Sequence, residues 1–121
     1  MSDLRSPRFD GAYCSTEPLT GEMKLGMLER SSGYLWWQYS FRSDGRLCSD
    51  PLITATAAFP SSVENTADSA SAKWEKQGGE IAITSLIDPF HEDGSAQARI
   101  TDDGKLTFAS GATCKFVPFT A

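Results

Sequence analysis

Short runs of alternating apolar and polar side chains are the main pattern in this sequence. Within residues 34–42, one face of an extended strand carries Leu35, Trp37, Tyr39 and Phe41. The opposite face carries Tyr34, Trp36, Gln38, Ser40 and Arg42. Residues 95–100 alternate in the same way. This period of two predicts β-strands rather than helices.

Glycine turns separate these runs. Four of them are Ser43-Asp44-Gly45, Gln77-Gly78-Gly79, Glu92-Asp93-Gly94 and Asp102-Asp103-Gly104. Asp-Gly and Gly-Gly pairs supply the positive φ angles that tight hairpins require. Because short hairpin loops join antiparallel neighbours, residues 74–119 are predicted to form a meander.

The predicted fold is an all-β, antiparallel up-and-down barrel of seven to nine strands, since closure removes open sheet edges. The first strand is expected at 9–15 and the last at 113–119. Pairing of these two strands would bring Cys14 and Cys114 close together. Residues 60–72 are predicted to be a loop with one or two helical turns, capped by Ser61 or Ser62. Residues 16–33 fit either a strand or an irregular crossing.

Composition narrows the classes of protein. A chain of 121 residues with 40% hydrophobic content fits one folded domain, 1–121. Its net charge of −5, without a basic run, argues against nucleic acid as a partner. No apolar stretch approaches the roughly 20 residues that span a bilayer, and no secretory signal is visible. We therefore expect a soluble, cytoplasmic protein; a homodimer is compatible with the sequence.

Metal and cofactor motifs are missing from the sequence. Cys14, Cys48 and Cys114 are widely spaced, without CxxC or an adjacent histidine, so we expect three reduced, mostly buried thiols. The stretch DGSAQARITDDG lacks the ligand spacing of an EF-hand. No Walker-type loop, GxGxxG or HExxH occurs. Neither a metal nor a cofactor is predicted.

Catalysis by a Ser-His or Cys-His arrangement would have to use His91, the one histidine. It lies in DPFHEDG, which is typical of a solvated hairpin loop. Alternatively, Glu92 and Asp93 raise its pKa and make it a proton carrier or pH sensor. The adjacent acids at 92–93 and 102–103 are interpreted as turn formers, because neighbouring side chains point in different directions.

Several features occur in a familiar order: Gly11-Ala12-Tyr13 opens the first strand, the aromatic run 34–41 leads into Asp-Gly, and Trp74 precedes a glycine turn. Across most of the chain this order resembles small lipocalin-like (calycin-type) proteins. Tyr13 stands where most lipocalins carry Trp. The resemblance implies a cup-shaped barrel that holds a small apolar or amphipathic ligand.

Three functions follow as hypotheses. The first is non-catalytic ligand binding in the barrel, with a lining of Trp37, Tyr39, Phe41, Trp74, Ile83, Arg99, Phe108 and Phe116. Polar anchors would be Gln38, Tyr39 or Arg99. The second is a protein-interaction module, such as an inhibitor, immunity or accessory subunit, that uses the acidic surface and an exposed Tyr34/Trp36 patch.

The third is an enzyme, for which the first positions to mutate are His91, Tyr39, Arg99 and Glu80. The plainer interpretation is that the inward aromatic side chains are core. Tyr34 and Trp36 would then pack under the loops at 16–33 or 60–72.

Overall fold

Eight antiparallel strands form a closed barrel in the computed structural model, which describes residues 7–17, 34–56, 58–64, 70–86 and 93–120. The strands are β1 (Gly11–Ser15), β2 (Tyr34–Phe41), β3 (Arg46–Thr54), β4 (Ala70–Gln77), β5 (Glu80–Thr84), β6 (Ser95–Ile100), β7 (Leu106–Phe108) and β8 (Thr113–Pro118). Each strand pairs with the next in sequence, and β8 pairs with β1. The predicted up-and-down barrel is therefore confirmed. No helix occurs in the described ranges.

The predicted turns join these strands. The glycines of all four turns have a positive φ: Gly45, Gly78, Gly94 and Gly104. The β2–β3 turn is tightened further by Asp44, whose carboxylate accepts a hydrogen bond from the backbone N–H of Arg46 at 3.1 Å. These local signals explain why the meander could be predicted from the sequence.

The two ends of the barrel differ in their connections. The β2–β3, β4–β5 and β6–β7 turns are short and leave from one end, here called the short-turn end. The longer connections 16–33, 55–69 and 85–94 leave from the opposite end, the long-loop end. Gly11 and Pro118 are register partners at the short-turn end. The beginning of β1 and the end of β8 therefore lie side by side.

Side chains form two buried clusters, one on each face of the sheet. The inner cluster fills the barrel and includes Trp37, Tyr39 and Phe41 of β2. The outer cluster contains Ala12, Cys14, Trp36, Val63 and Val117, with Leu52, Phe59 and Phe119 packed against it. The predicted inward and outward alternation of β2 is thus confirmed. Seven of the eight β2 residues are buried.

Residues 58–64, here called the strap, cover part of the outer face. Val63 forms a parallel bridge with Phe119, donating its N–H to Pro118 O at 3.0 Å and accepting one from Thr120 at 2.7 Å. Phe59 packs edge-on against Trp36, with ring centroids 5.9 Å apart. The strap is thereby joined to the barrel at two places.

The strap corrects the prediction for 60–72. Residues 60–64 form no helical turn, since Val63 extends to pair with the chain after β8. β4 begins at Ala70, so the end of the predicted loop is already strand. The reason is backbone pairing with β3, where a register shift between Leu47 and Cys48 accommodates the start of β4. Residues 65–69 lie outside the described residues, as do 18–33 of the second uncertain segment.

All three cysteines are buried, as predicted, and none of them lies in a disulfide. The predicted pairing of the two terminal strands is confirmed, and it places Cys14 and Cys114 on neighbouring strands. In the β1–β8 ladder, Cys14 lies opposite Lys115 and Cys114 lies opposite Ser15. The two thiols belong to different clusters on opposite faces of the sheet. A disulfide between them would require one of the two strands to exchange its inward-facing and outward-facing side chains.

Candidate functional site

The long-loop end of the barrel is the candidate site, and Trp37 is its central side chain. Trp37 is 3% exposed and belongs to the inner cluster. Its indole Nε1–H donates to Ser49 Oγ at 2.8 Å, and its backbone N–H donates to Ser15 Oγ at 3.1 Å. A buried indole needs such a partner for its one donor. Ser49 therefore fixes the ring, and Ser15 holds the Trp37 backbone.

Below Trp37, the barrel is filled by Tyr39 and Phe108. Their ring centroids lie 5.0 Å apart. Tyr39 is on β2 and Phe108 on β7, two strands that are not neighbours in the barrel. The contact therefore crosses the interior. It forms a floor for any space at the long-loop end.

Small or incompletely covered apolar residues accompany Trp37 at this end. Ala96, near the start of β6, and Ala112, in the β7–β8 turn, are half-buried and pack against the inner cluster. Ile53 lies opposite Leu35 in the β2–β3 ladder and is 47% exposed. An apolar side chain with that exposure on an inward-facing position is uncovered surface that a ligand can bury.

At the short-turn end, the segment before β1 packs against aromatic side chains of the barrel. The Arg8 guanidinium lies over the Phe116 ring, 4.1 Å from its centroid. The backbone N–H of Arg8 donates to Tyr13 Oη at 2.9 Å. Phe9 packs against Trp74, with centroids 6.0 Å apart. These contacts place Arg8 and Phe9 over Phe116 and Trp74, while Phe9 itself is 43% exposed.

Arg8 and Asp10 form an ion pair at the short-turn end. Arg8 Nη2 and Asp10 Oδ2 are 2.8 Å apart, and this hydrogen bond lowers the pKa of the Asp10 carboxyl below its ordinary value. Burial raises the pKa of the Tyr13 hydroxyl. The Tyr13 hydroxyl is thus held neutral as an acceptor for the Arg8 backbone.

The structure brings seven of the eight predicted lining residues into the barrel. They are Trp37, Tyr39, Phe41, Trp74, Ile83, Phe108 and Phe116. Arg99 is the exception: it lies on the outer face, and its side chain is 64% exposed. The reason is strand parity, because Arg99 sits between the inward residues Ala98 and Ile100. Gln38, another predicted anchor, is buried on the outer face.

The two residues predicted to bind a protein partner have different surroundings. Tyr34 is 41% exposed, whereas Trp36 is 1% exposed. Trp36 lies beneath Phe59 of the strap and donates its indole N–H to Thr54 Oγ1 at 2.8 Å. A partner could reach Trp36 only if the strap moved. Tyr34 alone is accessible in this structure.

Of the described residues proposed for catalysis, Glu80 and Arg99 lie next to each other, 3.8 Å apart, but Tyr39 does not join them. Tyr39 is inside the barrel, while Glu80 and Arg99 face outward. His91 lies outside the described residues. Burial raises the pKa of the Cys14 thiol to about 12, so it is a poor nucleophile at neutral pH. Among the described residues, no group of three His, Cys, Asp or Glu side chains could hold a metal ion.

The roles of Ser15, Ser49 and the strap were not predicted from the sequence. Ser49 could have been found, since strand parity places it on the same face as Leu47. No local sequence pattern indicates that the strap pairs with the chain after β8.

Comparisons with protein-family models, curated proteins and solved structures found no match. Within the described ranges, the chain has no helix that is long and apolar enough to cross a membrane. The candidate site therefore rests on the geometry of the barrel alone.

Proposed function

We propose that this barrel binds a small apolar or amphipathic molecule at its long-loop end and is not an enzyme. The observation that carries the proposal is the contrast between the two ends. Arg8 lies over Phe116 and Phe9 packs against Trp74 at one end, whereas Ile53, the register partner of Leu35, is 47% exposed at the other. An eight-stranded barrel has room for side chains or for one small ligand.

The side chains at this end suggest how the ligand is held. The buried Trp37 ring donates to the hydroxyl of Ser49, and the Ser15 hydroxyl accepts from the Trp37 backbone. The Tyr39–Phe108 floor limits the depth of the site. A ligand would therefore insert an apolar part and leave its polar part near the loops. This arrangement supports the resemblance to lipocalin-like (calycin-type) barrels. The three cysteines lie outside any disulfide, which agrees with a reducing compartment such as the cytoplasm.

The test uses 1-anilinonaphthalene-8-sulfonate as an amphipathic probe and blocks the site from the β6 side. In Ala96→Leu, three added carbons extend inward at the long-loop end. We expect at least a roughly tenfold loss of probe affinity, about 1.4 kcal/mol. Gln97→Leu is the matched control, because its side chain is the next along β6 and faces outward.

Fluorescence titration measures both affinities, and near-UV circular dichroism checks that each variant keeps its tertiary structure. One saturable site on the wild-type protein, weakened only by Ala96→Leu, supports the proposal. Many weak sites, or equal weakening by the two variants, would contradict it.

A second function is favoured by one observation at the same end. Tyr34 is 41% exposed on the outer face, where β2 begins at the long-loop end. An exposed aromatic side chain on the surface of a sheet is suited to protein binding. Tyr34→Ser should then abolish partner binding without changing probe affinity. Loss of probe affinity in Tyr34→Ser would instead assign this residue to the ligand site.

A further inference from the structure

A groove runs along the outer face of β6, away from the candidate ligand site. It consists of two adjoining cavities of about 350 and 460 Å³ that share Glu80, Arg99 and Thr101. Gln97, Thr107 and Ala109 complete one part, while Gly79 and Asp102 border the other. The side chains at the edges of this groove are small, so the long side chains of Glu80 and Arg99 are exposed within it.

The ion pair in this groove differs from three other exposed pairs among the described residues. Those three, 8–10, 44–46 and 103–105, join residues two positions apart. The groove pair instead joins β5 to β6, and its Arg99 Nη2 to Glu80 Oε2 distance of 3.8 Å is the longest of the four. Both side chains are more than half exposed. Such a long, solvated pair adds little to stability and is easily separated by a ligand.

We propose that the Glu80/Arg99 groove binds a small zwitterion of the α-amino acid type. The ammonium and carboxylate groups of such a molecule are bonded to one carbon and lie within about 3 Å of each other. They can therefore face Glu80 and Arg99 at the same time. The guanidinium donates two hydrogen bonds to the carboxylate, and the Glu80 carboxylate accepts one from the ammonium.

The charge balance favours a zwitterion over a simple anion. An anion at Arg99 would face Glu80 and Asp102 in the same groove, on a protein whose net charge is −5. The ammonium group of a zwitterion would face the Glu80 carboxylate, and its carboxylate group would face the Arg99 guanidinium. The hydroxyls of Thr101 and Thr107 and the amide of Gln97 then contact whatever side chain the amino acid carries.

Glycine is the probe for the test, added to the isotope-labelled protein at constant ionic strength and followed by backbone amide NMR shifts. We expect saturable shifts at Gln97, Arg99 and Thr107, with a Kd on the order of millimolar for so exposed a site. Glycinamide, which lacks the carboxylate, and acetate, which lacks the ammonium, should each bind at least roughly tenfold more weakly.

Four variants separate the groove from general charge effects. Arg99→Gln and Glu80→Gln should each weaken glycine binding about tenfold, and Glu80→Gln should strengthen the response to acetate. Ala109→Leu should also weaken glycine binding, because it fills the groove without changing a charge. Arg46→Gln, which removes the cation of a different exposed ion pair, should bind glycine as the wild-type protein does.

Three results would overturn the proposal: shifts that do not saturate, acetate acting as strongly as glycine on the wild-type protein, or Arg46→Gln weakening binding as much as Arg99→Gln. Failure here leaves the ligand site at the long-loop end untouched, since that site uses neither Glu80 nor Arg99.

Discussion

Gly11→Ala should destabilise the barrel strongly at the seam between β1 and β8. A methyl group at Gly11 would lie 2.2 Å from Val117 O, 2.5 Å from the Phe116 ring and 2.8 Å from Pro118 Cα. Two of these three atoms belong to the backbone of β8, so a change of side-chain rotamer cannot relieve the clash. The glycine is needed here for the close approach of two strands.

The size of the effect follows from these distances. Normal contact requires β8 to move by roughly 1 Å, which stretches ladder hydrogen bonds of normal length towards the limit at which they fail. Overpacking with a backbone shift typically costs about 1–3 kcal/mol, and each lost hydrogen bond adds about 1 kcal/mol. We therefore expect a loss of about 3 kcal/mol or more. For a chain of this length that lowers Tm by about 12 °C.

Urea and thermal unfolding, followed by circular dichroism, measure this loss. Gly79→Ala is the matched control, because its methyl group would meet no atom within 4 Å and its φ is not left-handed. It should leave stability unchanged or raise it by up to about 1 kcal/mol. If Gly11→Ala stays within about 0.5 kcal/mol of the wild-type protein, well below the about 1–3 kcal/mol of typical overpacking, the close packing of the β1–β8 seam is wrong.

Further predictions concern a thiol, the strap and acid stability. The Cys14 thiol, with a pKa of about 12, should stay unreactive towards a disulfide reagent at pH 8 and react only on unfolding; rapid labelling of Cys14 in the native protein, located by peptide mass spectrometry, would mean that the outer cluster opens. Phe59→Ala removes the edge-on contact with Trp36 and should lower the free energy of unfolding by about 2 kcal/mol, with tryptophan emission shifted to the red. No emission shift would show that the strap does not shield Trp36. Hydrogen bonds from Arg46 lower the pKa of Asp44 below 3.8, so its contribution to stability is present above that value and is lost as pH falls through the lowered pKa. Urea midpoints measured from pH 5 to about pH 2 should therefore fall less in Asp44→Asn; an identical fall would mean that this carboxylate contributes nothing.

Much of the fold was predictable because its signals are local. Parity along a strand decides which face a side chain takes, so Trp37 and Tyr39 could be placed inside without a structure. Asp-Gly turns then fixed the neighbour of each strand. The same parity argument puts Arg99 outside, and the prediction that grouped it with the inward aromatic residues overlooked this.

Contacts between distant segments could not be predicted in this way. Gln38 and Ser40 alternate as solvent-facing residues should, yet they are only 5% and 2% exposed. No sequence pattern within residues 34–41 indicates that Gln38 and Ser40 are buried. The parallel bridge between Val63 and Phe119 likewise joins residues far apart in sequence. Only the folded barrel brings the outer face, the strap and the chain after β8 together.

The pairing of Gly11 with Pro118 also bears on how this barrel can be handled or tethered. Both ends of the barrel's chain emerge beside each other, on the side opposite Trp37. A fluorophore, affinity tag or surface anchor attached next to the start of β1 or the end of β8 would therefore leave the long-loop end facing the solution. A short linker from the end of β8 to the start of β1, combined with a cut in a β-turn, would give a circular permutant whose barrel keeps every strand pairing.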